Sequence, residues 1–254
     1  MLPPNLICYV YLYVYLSERK HMQLSKRLQA VSDLVSSGNR LVDVGCDHGY
    51  LPVFLVEKGR IPSALALDVR VGPLSRAEGH IAEHHLQDKI KTRLSDGLKA
   101  VEAGEGDTLV LAGMGGLLTI KILSESLEKL SSFQEIILQP QSDIDMVRRF
   151  MRQQGWETEG EDMVLEDGKF YPMMRLVYKG ALPAWREEEY RFGKALLSAR
   201  HPVLMEFLEK EAALKESIME RLEKENTAGA RARLEEIEED YAMIQEALNE
   251  KNRS

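Results

Sequence analysis

The stretch LVDVGCDHGY, residues 41–50, decides the fold. Leu41 to Val44 form an apolar run broken only by Asp43 and read as a buried strand. Gly45 and Gly49 permit a tight turn with close backbone approach. From Tyr50 onward the pattern is helical. A strand that breaks at a Gly-rich turn and opens a helix is the ligand-binding corner of a doubly wound α/β sheet.

The same rhythm continues on both sides of this corner. Upstream, Leu24, Leu28, Val31, Leu34 and Val35 keep a helical period, with Gly38 as the expected stop. Downstream, strands are predicted at Arg40–Val44, Ser63–Leu67, Lys91–Leu94, Thr108–Leu111 and Glu135–Leu138. Helices are predicted near 51–58, 73–86, 97–103, 115–130 and 143–154. Five short apolar runs alternating with helices imply a parallel sheet covered on both faces. After Gly155 the pattern changes. Trp156–Leu165 and Phe170–Tyr178 are strand-like, and Asp167-Gly168 between them reads as a hairpin turn. A parallel sheet closed by an antiparallel pair is expected of Rossmann-like methyltransferases, whereas dehydrogenases usually add further parallel units.

Gly180–Pro183 marks a break before a charged helical region. Residues 186–254 hold 17 acidic and 12 basic side chains, most of the chain's net charge of −8. Leu234, Ile237, Tyr241, Ile244 and Leu248 step by heptad spacing. Leu204, Phe207, Leu208, Leu214, Ile218 and Leu222 offer a looser partner stripe, and Asn226–Gly229 can close the two into a helical hairpin or coiled coil. The expected organisation is therefore an extension over 1–21, a catalytic α/β domain over 22–183 and a hairpin over 184–254. The apolar run Leu6–Leu16 is too short to span a bilayer and lacks the flanks of a signal peptide. With 44% hydrophobic residues the chain can build a full core. Its acidic balance argues against non-specific adhesion to polyanions but leaves room for a local basic face. Cys8 and Cys46, its two cysteines, form no metal-binding or disulfide framework, so a cytoplasmic setting is expected.

Which ligand the corner takes is written in its acids. A nicotinamide enzyme would show Gly-x-Gly-x-x-Gly after the strand. Here Asp43 closes the strand, the glycines are four apart, and Asp47 stands between them. S-Adenosylmethionine has no pyrophosphate to cradle and carries an ammonium, which Asp43 or Asp47 can serve directly or through water. Asp68 ends the second strand, where a carboxylate can accept both ribose hydroxyls. Asp96, before Gly97, ends the third, where it can accept the adenine amine. Acids at three successive strand ends favour S-adenosylmethionine over a dinucleotide. Gly113-Met114-Gly115-Gly116 leaves bare backbone at the fourth strand end, room for the cofactor or a target base. Gln139-Pro140-Gln141 at the fifth can hydrogen-bond a base edge. His80-Ile81-Ala82-Glu83-His84 resembles an inverted zinc-protease motif, but it falls on an outer helix without a third-ligand motif, so no metal is expected. No Gly-x-Ser-x-Gly elbow supports a hydrolase triad.

Together, SKRLQAV (25–31), LVDVGCDHGYLP (41–52), LAGMGG (111–116), LQPQ (138–141), EDGKFYPMMRLVY (166–178) and RFGKALL (191–197) resemble the bacterial N1-methyltransferases of adenosine 22 in tRNA. The resemblance covers residues 22–250. It differs from generic methyltransferases in carrying Asp47 where Gly is usual, and Gly113–Gly116 where an Asn/Asp-Pro-Pro-aromatic signature is common. It implies methyl transfer from S-adenosylmethionine to adenine N1, whose free lone pair needs no prior deprotonation. Positioning and charge placement then carry the catalysis. The implied cofactor contacts are Asp43, Gly45, Asp47, Gly49, Asp68, Asp96, Gly97, Gly113, Met114 and Gly115. Asp47 is the implied stabiliser of charge near the adenine amine, with Tyr50 or His48 stacking or hydrogen-bonding. The base must be extruded from folded tRNA. Lys26, Arg27, Arg148, Arg149, Arg152 and Arg175 are candidates for the basic surface, and Gly116 and Gln139–Gln141 for the base. The hairpin can clamp tRNA, pack on the catalytic domain or dimerise; monomer and homodimer both remain open. The alternatives are methylation of another RNA or a small molecule, or a non-catalytic binding module on the same fold.

Overall fold

The computed structural model describes residues 22–225 and 227–249. The expected N-terminal extension over 1–21 and Asn226 of the hairpin loop lie outside the described residues. Helices and strands alternate as α1 (Lys26–Leu34), β1 (Leu41–Val44), α2 (Tyr50–Glu57), β2 (Ala64–Asp68), α3 (Val71–Glu83), β3 (Ile90–Leu94), β4 (Thr108–Met114), α4 (Gly116–Ser124), α5 (Leu127–Leu130), β5 (Glu135–Pro140) and α6 (Ile144–Gln153). A hairpin of β6 (Trp156–Glu166) and β7 (Lys169–Tyr178) follows. A π-helical turn over Glu189–Gly193 leads into α7 (Lys194–Ser198), α8 (Pro202–Glu223) and α9 (Ala228–Asn249).

One seven-stranded sheet runs in the order β3-β2-β1-β4-β5-β7-β6. The five strands from β1 to β5 pair in parallel, and β7 and β6 close the sheet antiparallel. Period-two alternation assigns the two faces. Leu41, Ala64, Ala66, Val110 and Ile137 pack against α1, α2 and α3. Val42, Val44, Leu65, Leu67, Leu109, Leu111, Ile136 and Leu138 pack against the other layer with Leu123, Leu130, Val147 and Met151. The chain leaves β1 for β2 on one side and returns through β4 on the other, so a crevice opens at the carboxyl ends of β1 and β4. The β6–β7 turn is a tight one, with Asp167 and Gly168 both at positive φ (49° and 75°). That is the backbone a two-residue hairpin needs for its twist.

Three local expectations change. Residues 97–103 form turns, because the Ser95 hydroxyl donates to the Gly97 carbonyl (2.7 Å) and accepts from Ala100 N–H (3.1 Å), offering the backbone partners other than helical ones. The helix expected over 115–130 divides at Ser126, whose backbone leaves the helical region (φ −140°) before α5 places Leu130 in the core. Helix α1 begins behind a Ser25 cap, whose hydroxyl accepts from Leu28 N–H (3.2 Å), and ends at Val35, ahead of Gly38.

The C-terminal helices fold into an antiparallel pair, with Arg200 before α8 donating to the Leu248 carbonyl near the end of α9 (3.1 Å). The pair packs on the edge strand: Leu204, Leu208, Ala212, Ile244 and Ala247 bury against Met163, Phe192 and Leu196, and Phe207 meets Phe170 edge-on at 5.2 Å. Each fully buried Leu contributes about 2 kcal/mol to this seam. Leu214, expected in the stripe, is exposed: the buried face runs at four-residue spacing through Leu204, Leu208 and Ala212, and a residue two positions past Ala212 faces away from it. No described helix is long and apolar enough to cross a membrane.

Candidate active site at the carboxyl edge of the sheet

A pocket of about 670 Å³ occupies the crevice. Its wall includes Asp43, Gly45, Asp47 and Tyr50 from the first corner, Asp68 and Asp96–Gly97 from the next two strand ends, and Gly113–Met114, Gln141 and Arg27 opposite. The three acids thus converge as their strand-end spacing predicts. They are not equivalent. Asp43 is 5% exposed, and no donor among the described residues reaches its carboxylate. Burial, then the nearby Asp68 charge, push its pKa up to about 7. Asp68 is also buried, but one oxygen accepts from Arg70 N–H (2.9 Å). Asp96 is exposed and bonded to Lys99, which holds its carboxyl below the usual range. Burial beside these acids pushes the Cys46 thiol up and leaves it protonated.

The turn itself is shaped by close contacts. A side chain at Gly45 would collide with the Met114 methyl group. At Gly116 it would collide with the Ser142 carbonyl, so the ends of β4 and β5 can meet only through glycine. Gly49 starts α2 and faces Ala77 of α3, and Gly115 lies against Ser142; neither lines the pocket. β4 runs on to Met114, three residues beyond the expected end, through an irregularity spanning Ala112–Met114. Asp47 sits at positive φ (47°), the conformation that explains why Gly is usual there. Its carboxylate accepts from Arg76 Nη2 (3.2 Å) and lies 3.7 Å from His48 Nε2. His48 stands behind the wall, its ring stacked on Tyr50 (5.3 Å). Tyr50 in turn leans on His80 (4.7 Å).

The base-recognition candidates divide. Gln141 lines the pocket and is tied to β4 by its N–H to the Met114 carbonyl (2.8 Å). Gln139 is fully buried, and with the buried Pro140 belongs to β5 itself. Arg27 lines the pocket, whereas Lys26 is exposed beside it and outside the wall. Arg148 is corrected outright. It is 2% exposed, paired with Glu161 (2.9 Å) and donating to the Tyr190 and Arg191 carbonyls, so it ties α6 to β6 and the π-helical turn and cannot meet a polyanion. Arg149, Arg152 and Arg175 are likewise engaged with Glu187, Glu157 and Glu135/Glu159. Sequence reasoning missed Arg70, Leu118 and Ile122 in the wall. Arg70 follows Asp68 by two residues and was the one legible signal. His80 and His84 are spent on the His48 carbonyl (2.9 Å) and Glu57 (2.7 Å). Among the described residues no His/Cys/Asp/Glu cluster is placed to hold a metal.

Strand order, the antiparallel closing pair and an acid-lined crevice define a Rossmann-like methyltransferase. Residues 24–174 match the methyltransferase domain family. The chain is 33% identical over 153 residues to the tRNA (adenine(22)-N(1))-methyltransferase of Bacillus subtilis, an overlap of 60% of this chain and 64% of that relative's length. A candidate tRNA (m1A22) methyltransferase of Streptococcus pneumoniae superposes with a TM-score of 0.82 at 35% identity, covering 89% of this chain and all of that one. The same protein in complex with S-adenosyl-L-methionine gives 0.78. An uncharacterised Listeria monocytogenes protein gives 0.85 at 31% identity, covering 89% of this chain and all of its own. The chain belongs to the bacterial tRNA (adenine-22-N1)-methyltransferase family.

Proposed function

We propose that the protein transfers a methyl group from S-adenosylmethionine to N1 of an adenosine in tRNA, at position 22. The observation that carries this is Asp43: a buried carboxylate with no partner among the described residues, opening on a pocket ringed by further acids. A ligand cation is what such a group lacks. The cofactor's ammonium supplies it, and the residues present fit the rest of that molecule. The cofactor brings an electrophilic sulfonium methyl, for which adenine N1 holds a ready lone pair.

In this reading Asp43 anchors the ammonium. Asp68 keeps one oxygen on Arg70 N–H and offers the other to the ribose hydroxyls. Asp96 and Gly97 face the cofactor's adenine, while Gly45, Gly113 and Met114 leave its backbone-lined channel open. Asp47 lies at the methyl-transfer end of the pocket, where its charge balances the cation formed on the target base. Tyr50, 38% exposed and backed by the His48 and His80 rings, offers a stacking face. Gln141 faces the base edge, and Arg27 and Lys26 lie on the side from which RNA approaches. Residues 22–183 form the cofactor domain. The hairpin region over 184–254 contributes no described residue to the pocket wall, and its share is tRNA contact. The setting is the cytoplasm, where a free, protonated Cys46 thiol is at home.

Nucleoside mass spectrometry after incubating unmodified tRNA with the protein and methyl-labelled S-adenosylmethionine tests the proposal. Labelled 1-methyladenosine mapping to position 22 is expected. Label in another nucleoside, or none with the cofactor demonstrably bound, would overturn it.

A further inference from the structure

Of the six cations that the sequence offers for RNA, the four arginines other than Arg27 are bound to carboxylates. Arg27 alone both lines the pocket and lacks a carboxylate partner among the described residues. Its hold is neutral. Nη1 donates to Gln139 Oε1 (2.9 Å), and the guanidinium lies 5.8 Å from the centre of the Tyr171 ring. The helix that carries it is fixed by Glu166 at the end of β6, whose carboxylate accepts from Lys26 N–H (2.5 Å) and Arg27 N–H (3.4 Å).

Gln139 is the centre of this arrangement. It is wholly buried, and its one Oε1 accepts from Arg27 and also from Gly113 N–H (3.0 Å), at the irregularity that ends β4. Its Nε2 is turned to the Pro140 carbonyl (3.3 Å). A carboxylate at this place would neutralise Arg27; an apolar side chain would release it. An amide fixes the guanidinium while leaving its charge and its remaining donors unused.

We propose that Gln139 is a positioning residue that presents Arg27 to the pocket as a receptor for an anionic oxygen of a bound substrate. That oxygen belongs either to the carboxylate at the methionine end of the cofactor or to a phosphate of the target nucleotide. The inference rests on the methyltransferase reading of the pocket. Because Gln139 also holds Gly113, the same amide couples α1 to the backbone at the end of β4.

A double-mutant cycle of Arg27→Met and Gln139→Met tests it, read by calorimetry with S-adenosylhomocysteine, by tRNA binding and by kcat and KM. Arg27→Met should weaken one ligand about 10-fold or more. Gln139→Met should weaken the same ligand, and the double variant should be no worse than Arg27→Met alone. A cofactor carboxylate predicts weaker S-adenosylhomocysteine with unchanged 5′-methylthioadenosine, which lacks the carboxylate. A phosphate predicts weaker tRNA, with the salt slope reduced by about 1 and the cofactor unaffected. Gln139→Glu guards against misfolding: it keeps both acceptor contacts but cancels Arg27's charge, so affinity should fall while the melting temperature holds. Additive losses in the cycle, or Arg27→Met binding both ligands normally, would overturn the inference. Wild-type protein binding neither ligand would instead refute the function on which it rests.

Discussion

The pocket wall and the seam beneath the hairpin handle charge in opposite ways. In the seam, Asp240 is held by Arg191 (2.6 Å) and Lys215 (2.8 Å), and their hydrogen bonds and charges draw its pKa far down. Arg148 and Glu161 are both buried and face each other. In the wall, Asp43 is buried without a partner among the described residues, its pKa pushed up to about 7 by that burial, and Arg27 is held by neutral groups, the Gln139 amide and the Tyr171 ring. A stable protein ordinarily neutralises what it buries. The seam obeys this with its own side chains. The wall leaves positions for a cation and an anion, and these are the two charges that a zwitterionic amino-acid moiety carries.

Substitutions can break this contrast. Arg148→Met strands Glu161 in the interior and should cost about 3–5 kcal/mol of stability, read by denaturant unfolding, with cofactor affinity retained in the folded fraction. Loss of less than about 1 kcal/mol would show that the seam does not depend on the pair. Asp43→Asn should do the reverse. It removes an unpaired charge, so the ligand-free protein should melt no lower at pH 8, yet S-adenosylhomocysteine should bind about 100-fold more weakly by calorimetry. A destabilised variant with normal binding would make Asp43 an ordinary structural acid.

Asp68→Ala should weaken the cofactor by about 1–3 kcal/mol, less than Asp43→Asn relative to stability, since Arg70 N–H also loses its acceptor. Asp47→Ala is the smallest and the most discriminating. Its saturated turnover should fall about 10-fold with cofactor affinity within a few-fold, the signature of a group needed in the transition state. Weak binding with normal saturated turnover would make Asp47 a cofactor ligand. The Ala variant also keeps the strained positive φ, so stability should change little; Asp47→Gly separates that backbone cost, about 1 kcal/mol, from the loss of the carboxylate.

The strands and the acids at their ends were legible because both follow from local pattern: apolar runs of four to six residues, then an acid or a glycine. The hairpin turn was legible in Asp167-Gly168 for the same reason. What the sequence hid depended on partners distant in the chain. Arg148 reads as a surface cation on an amphipathic helix until Glu161 and the Tyr190 carbonyl close around it. Gln139 reads as a base-edge amide until β4 and α1 take up its oxygen. Gly49 reads as cofactor backbone, but its tightest neighbour is Ala77 of α3. The segment 97–103 has a helical pattern that one serine side chain diverts. Asp47's left-handed backbone likewise becomes visible only with the turn folded.

The pH dependence separates the two regions by sign. Asp43 has its pKa raised on folding, so the native state holds more protons than the unfolded chain between about pH 4 and 7, and its contribution to ligand-free stability is lost as pH rises through that window. Asp240 has its pKa lowered, so its contribution is present above the ordinary carboxylate range and is lost as pH falls below it. Only Asp43 should also couple to the cofactor, because an ammonium recruits its ionised form. The decisive measurement is S-adenosylhomocysteine binding by calorimetry at pH 6 and pH 8, for wild type and Asp43→Asn. The account predicts that wild-type affinity rises by up to about 10-fold over this interval with proton release at the lower pH, and that Asp43→Asn binds weakly and without that dependence. Equal affinity at both pH values, unchanged by Asp43→Asn, would contradict it.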